Sequence, residues 1–442
     1  MPRSRSLSIY ATVVALPIFV VPQNGFRLSS EINSRLSSDE NAVAVSVLAV
    51  PVFFFVFLLQ SKGRFPRLLI EDWLLIAYAG LMLVSFVCGM FATGSNKVAV
   101  ATMLFLQTVF PLLSYASVRL LGESAYRQGT AAKFGENFWW TGSVVLSISA
   151  VAYFLQTAID GGAPTRHNLL TNHIGPFYNP KALRFYPIAY SCFCVAMIAR
   201  ALVIAGSGRL GSLLMSLILL AAIGASHSRT AILTVAIGSA LVVTSRFSLS
   251  RRNENTRLRL DRRSLPVLLV LLGGFFGGLI AVRDSRSVDR LVETVNTLLE
   301  GSQLDEGDTN RGERLKEGLA VAMQPLGSMF QPSVRSRGNV RVVNAESGIV
   351  DAAVRGGPIA FLIVGLLSCR FAIRMLMLLN GRPSIQSKYW SVLASAVICS
   401  TIFCFANIWI NVLTEPFFAQ IAWASAGIVV SQLHAASINQ QP

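Results

Sequence analysis

Apolar positions along this chain gather in long blocks, and short polar or basic stretches separate them. Many blocks approach the ~20 residues that a helix needs to cross a bilayer. They lie at 7–22, 41–59, 73–94, 98–118, 138–158, 186–205, 210–226, 229–245, 265–282, 358–379, 389–411 and 417–435. The pattern predicts an all-α fold: a polytopic transmembrane helix bundle of about twelve spans. Arg3 and Arg5 precede the first block. We read that block as a retained span, because no small-x-small cleavage pattern follows it.

Two stretches between blocks are long, at 159–185 and 283–357. The chain therefore divides into 1–282, with nine spans and an outer loop at 159–185; 283–357, a large outer loop expected to contain short helices; and 358–442, with the last three spans. Within the large loop Val288, Leu291, Val292, Val295, Leu298 and Leu299 recur at helical spacing. They predict an amphipathic helix that lies on the membrane or against the protein.

Charge gives the loops their sides. Lysines and arginines collect in the cytoplasmic loops of membrane proteins. Arg3 and Arg5 place the N-terminus inside. Basic clusters then recur after the second, fourth, sixth, eighth and tenth blocks: Lys62 to Arg67, Arg119 to Lys133, Arg200 to Arg209, Arg246 to Arg263, and Arg370 to Lys388. All of them fall on one side if the block list is right, and both long loops fall on the other, periplasmic side.

Composition supports this class. Of 442 residues 53% are hydrophobic and 14% are charged, against about 25% charged in soluble domains. The net charge of +16 follows from the inside bias, so nucleic acid is not an expected partner. The run from Arg251 to Arg263 reads as a cytoplasmic anchor facing membrane lipid. The six cysteines, Cys88, Cys192, Cys194, Cys369, Cys399 and Cys404, lie in apolar blocks without metal spacing and read as small buried hydrophobes.

No P-loop, HExxH, GxSxG or dinucleotide-binding glycine pattern is present. Glu306, Asp308, Asn310 and Glu317 imitate a calcium loop, but Arg311 stands where that loop requires glycine. No metal and no cofactor are therefore expected.

Three segments on the outer side carry candidate chemistry. The eighth block opens with Ser226-His227-Ser228-Arg229-Thr230-Ala231. An arginine at membrane depth has a partner or a role, or it snorkels to the interface. Its planar fork suits phosphate oxygens. The second segment is Asn310-Arg311-Gly312-Glu313-Arg314-Leu315, an apolar run to Met323, then Pro325-Leu326-Gly327. It reads as a short outer helix with arginines near its start, or as a solvated helix face. The third is Asn344-Ala345-Glu346-Ser347-Gly348, then Arg355-Gly356-Gly357-Pro358, where the chain re-enters the membrane. Glu346 could serve there as a general base or as an interfacial acid paired with an arginine. The loop at 159–185 adds Arg166, Tyr178 and Arg184, groups that suit a sugar chain.

In order and spacing these segments resemble the O-antigen polymerase and ligase superfamily, over roughly residues 210 to 370. The resemblance implies a metal-independent membrane glycosyltransferase of the bacterial inner membrane. Its substrate would be oligosaccharide linked through pyrophosphate to undecaprenol. By the same resemblance Arg229 and Arg314 engage the pyrophosphate, with Arg311, Arg166, Arg184 and Tyr178 as further substrate contacts. A chain-length regulator and a flippase would be partners. The family's ligases usually carry His-Asn at the re-entry segment. Glu346-Ser347 stands there in this chain, which favours the polymerase branch.

Three other readings follow from the same features. One is a ligase that moves the finished chain to lipid A core. Another is a flippase or other transporter of the lipid-linked oligosaccharide, which the scarcity of charges inside the blocks disfavours. The last is a non-catalytic assembly subunit with the large loop as its docking surface.

Overall fold

The computed structural model describes residues 67–92, 110–127, 131–159, 187–204, 207–225, 229–253, 318–322, 334–336, 339–341, 347–379, 390–407 and 421–431, with fragments at 54–55 and 58–59. The first and ninth blocks, most of the second, and the 288–299 helix lie outside these residues. The described residues are almost entirely helical. They form α1 (Ile70–Ala92), α2 (Phe110–Arg127), α3 (Ala131–Ile159), α4 (Pro187–Val203), α5 (Ser207–Ala225), α6 (Arg229–Asn253), α7 (Gly348–Leu379), α8 (Trp390–Thr401) and α9 (Ile421–Ser431). A helical turn at 318–322 and a ribbon of two strands, β1 (Val334–Ser336) and β2 (Asn339–Arg341), belong to the large loop. The strands pair antiparallel, with Arg335 opposite Val340. The ribbon is an element of that loop that the sequence did not predict, beside the short helical turn.

Burial sorts the helices into two kinds. α4 is enclosed, with every residue from Ile188 to Ala199 buried, and α8 and α9 are buried along their whole lengths. α4 packs against α3, α5, α6 and α8. Phe138, Trp139 and Phe193 stack at the α3–α4 contact, and the Trp139 indole donates to Ser395 Oγ at 2.9 Å. The outer helices instead leave apolar stripes uncovered. On α1 these are Ile70, Trp73, Ile76, Leu83, Val84 and Val87; on α5 Leu210, Leu214 and Leu217; on α7 Ile359, Leu362, Leu366, Ile373 and Leu376. The three- and four-residue spacing keeps each stripe on one face. Two segments, Ser207–Gly224 and Gly356–Met377, are long and apolar enough to cross a membrane.

Polar residues lie within the bundle and join helix ends. The Asp72 carboxylate accepts from the Tyr115 hydroxyl and lies 3.3 Å from Arg119 Nε. Arg119 Nη2 donates to the Arg67 carbonyl at 3.3 Å, and the Arg119 carbonyl accepts from Ser431 Oγ at 3.2 Å. Glu71 receives Arg370 and Arg374. Arg200 donates to the Gly208 carbonyl at 2.9 Å and to Ser212 Oγ at 2.6 Å, with its guanidinium over the Trp140 ring. These contacts gather the starts of α1, α3, α5 and α8 and the ends of α2, α4, α7 and α9 at one end of the bundle.

Cysteine placement departs from expectation at one position. Cys192, Cys194 and Cys399 are buried and Cys404 is partly buried, but Cys369 is exposed on the α7 stripe. The thiol of Cys404 donates to the Ser368 carbonyl at 3.3 Å, and Ser368 Oγ donates to the Phe403 carbonyl at 3.0 Å. Both contacts lie at a π turn, Ile402–Ala406, that continues α8. A π turn shifts carbonyls out of the regular helical ladder, and here Ser368 of α7 donates to the carbonyl of Phe403 in that turn.

Candidate functional site

The end of the bundle away from that gathering holds the starts of α4, α6 and α7. α6 begins at Arg229, so the arginine stands at the helix N-terminus. Its backbone is described; its side chain is not. Ala231 beneath it is fully buried, and its carbonyl accepts from Ser191 Oγ of α4 at 2.8 Å. This bond fixes the start of α6 against the start of α4, where the chain leaves the 159–185 loop. A helix start offers unpaired N–H groups and the positive end of the dipole, both suited to an anion.

The helix of the tenth apolar block is longer than the sequence suggested. α7 starts at Gly348, ten residues before the expected 358, and runs through a kink at Gly357. Gly357 has φ 67° and ψ −165°, a conformation essentially restricted to glycine. Pro358 follows it and supplies no N–H to the ladder. Before the kink the helix is enclosed: Ser347, Val350, Asp351, Ala352, Ala353 and Val354 are all buried. After it, Ile359 and Leu362 begin the exposed apolar stripe. Gly356 is held close to α1. A Cβ there would stand 2.6 Å from Ala360 Cβ and 2.9 Å from Met82 Cε.

Asp351 is a residue that the sequence reading passed over. Its exposure is 0% and its amide donates to the Ser347 carbonyl at 2.7 Å. A carboxylate in the first turn faces the favourable end of the helix dipole. Ionisable groups buried among apolar neighbours are expensive and concentrate at functional sites. The signal was an acid spaced within a small, apolar run, Gly348-Ile349-Val350-Asp351-Ala352-Ala353-Val354. It read as a loop because Gly356-Gly357-Pro358 looked like its end.

One described turn of the large loop packs on this helix. Ala322 and Val321 of the 318–322 turn pack with Val350, Ala353 and Val354. The segment that follows Arg311 and Arg314 in the chain thus meets the helix that follows Glu346. The side chains of Arg311, Arg314, Glu346, Arg166, Arg184 and Tyr178 lie outside the described residues, as does the calcium-like stretch at 306–317.

No family model matches the chain, and no curated protein matches it.

Proposed function

We propose that the chain is a multi-pass inner-membrane polymerase that joins undecaprenyl-pyrophosphate-linked oligosaccharide repeats at the periplasmic face. The observation that carries the reading is the packing of the 318–322 turn on the enclosed start of α7. Two segments that the resemblance assigns to one reaction centre, separate in sequence, meet at the end of the bundle where α6 opens with Arg229. The exposed apolar stripes of α1, α5 and α7 support a lipid setting, since water would penalise them. The charges turned inward support it too.

The chemistry needs no nucleotide. A sugar hydroxyl of one unit attacks the anomeric carbon of the other chain, and undecaprenyl pyrophosphate leaves. Negative charge grows on the leaving pyrophosphate. Arg229 and Arg314 stabilise it, with the N-terminus of α6 adding its own donors. Glu346 accepts the hydroxyl proton. Asp351, buried in the first turn of α7, is a further acidic group at this end of the bundle. Arg311, Arg166, Arg184 and Tyr178 hold sugar and phosphate. The Gly357 kink divides the enclosed reaction end of α7 from its lipid-facing length, so the carrier's polyprenyl tail stays in the bilayer while the sugars react.

Deletion of the gene in its source strain tests the reading. Single repeat units should then accumulate on their carrier at the outer leaflet. Long polymer that stays unattached would mean a ligase instead, and accumulation at the inner leaflet would mean a flippase.

A further inference from the structure

At the opposite end of the bundle lies a charge arrangement that the polymer-forming reaction does not use. Glu71, 1% exposed, offers one oxygen to two arginines. Arg370 reaches Oε1 through Nε at 3.0 Å and Nη2 at 2.8 Å, and Arg374 reaches it through Nη2 at 3.4 Å. Among the described residues Glu71 Oε2 and Arg374 Nε have no hydrogen-bond partner. The neighbouring acid cannot help, because Asp72 already faces Arg119 with both side chains 3% exposed. Among the described residues one carboxylate therefore answers two guanidinium groups, and one positive charge is left over.

The surplus sits at an edge. Arg370 and Arg374 are 33% and 22% exposed, so part of each guanidinium opens outward. Exposed apolar side chains flank them: Ile70 and Trp73 on α1, Ile373 and Leu376 on α7. The exposed indole of Trp73 fits the level where a membrane meets water. A cation surplus beside an apolar face is costly until an anion answers it. A guanidinium pair matches phosphate oxygens in shape and charge. In the cytoplasmic leaflet the abundant anions tethered to apolar chains are acidic phospholipids.

We infer that Arg370 and Arg374 bind the phosphate headgroup of an anionic phospholipid of the inner leaflet, with its acyl chains along Ile70 and Trp73 of α1 and Ile373 and Leu376 of α7. The lipid completes the charge balance of the two arginines that share Glu71 and ties α1 to α7. This rests on the membrane setting proposed above and not on the polymerase chemistry.

Native mass spectrometry of the full-length protein in mild detergent tests it, with phosphatidylglycerol and phosphatidylcholine as probes. The wild-type protein should retain one phosphatidylglycerol and shed phosphatidylcholine, and millimolar inorganic phosphate should not displace the lipid. R370Q/R374Q leaves Glu71 buried without a counter-ion and is prone to misfold, so the triple variant E71Q/R370Q/R374Q is the working comparison. It should retain phosphatidylglycerol about tenfold less, the scale of losing charge-assisted hydrogen bonds. E71Q alone removes the competing carboxylate and should tighten retention several-fold, an effect that a purely structural ion pair would not give. Equal retention of the two lipids, displacement by inorganic phosphate, or undiminished binding by the triple variant would each overturn the inference. The measurement involves no polymer synthesis, so its failure would leave the polymerase reading standing.

Discussion

The two ends of the bundle handle charge in opposite ways. At one end buried acids meet bases: Asp72 with the buried Arg119, Glu71 with the partly exposed Arg370 and Arg374. At the other, helices open with Arg229 and, three residues inside α7, with the fully buried Asp351. The first arrangement links α1 to α2 and α7. The second lies at the end that holds the start of α6, the enclosed start of α7 and the 318–322 turn packed on it. One end ties helices together through ion pairs; at the other, on the proposed reading, helix starts face the substrate's pyrophosphate.

The contrast breaks first at the paired end. Arg119→Ala strands Asp72 inside the bundle. Removing one partner of a buried ion pair costs about 3–5 kcal/mol, so folded protein recovered from membranes should fall sharply. If the yield and thermal midpoint of Arg119→Ala match the wild type, that end is not the structural clamp described.

The opposite end should respond in activity. Arg229→Ala and Arg314→Ala should each lower polymer formation by about 10²–10³-fold, the usual loss when a donor to developing charge is removed. Protein level and thermal midpoint should stay put. Asp351→Asn keeps the side chain's shape and removes its carboxyl group. It should also cost polymer, by about tenfold. Loss of fold in these variants in place of loss of polymer would erase the distinction between the ends.

Smaller effects sharpen the boundary between the halves of α7. Gly356→Ala forces a Cβ to within 2.6 Å of Ala360 and should destabilise by about 1–3 kcal/mol, as overpacking does. Gly365, on the length that carries the exposed apolar stripe, has nothing within 4 Å of an added Cβ. Gly365→Ala should be neutral or stabilise by up to about 1 kcal/mol. Thermal unfolding in detergent separates the two. Equal midpoints would mean that the start of α7 is not enclosed.

The smallest effect is a pH dependence at the paired end. Glu136 precedes the fifth apolar block. Burial raises its carboxyl above the usual range, against the pull of Arg200, Trp390 and Lys133. An acid whose folded pKa is raised contributes stability at low pH and loses it as pH climbs through that raised value. Glu136→Gln should flatten this part of the stability profile on the acid side of neutrality. An unchanged profile would remove Glu136 as its source.

Much of the helical layout was legible in the sequence. The apolar block at 210–226 is α5, and the one at 229–245 starts where α6 starts, at Arg229. Apolar periodicity and basic punctuation carry that information locally. What escaped depended on distant partners. The start of α7 was hidden because Gly356-Gly357-Pro358 has the composition of a stop, yet its close packing on Met82 and Leu81 holds the chain helical on both sides of a kink. Asp351 was missed with it. The ribbon at Val334–Ser336 and Asn339–Arg341 has strands too short for a period-two pattern to register. The ion pairs of Glu71 and Asp72 join residues far apart in the chain, and no window along the sequence contains both partners. Of the candidate site, the chain order of its segments was legible; the packing of 318–322 on α7 was not, since small apolar residues such as Ala322 and Ala353 advertise no particular partner.

The central claim is a chemical one, and reconstitution tests it most directly. Purified protein in liposomes would be given undecaprenyl-pyrophosphate-linked repeat units with EDTA present and no nucleotide. The account predicts a ladder of lengthening oligosaccharides with stoichiometric release of undecaprenyl pyrophosphate, absent with Arg229→Ala or Arg314→Ala. Repeat units left unjoined by active, folded wild-type protein, or an undiminished ladder from those variants, would contradict it.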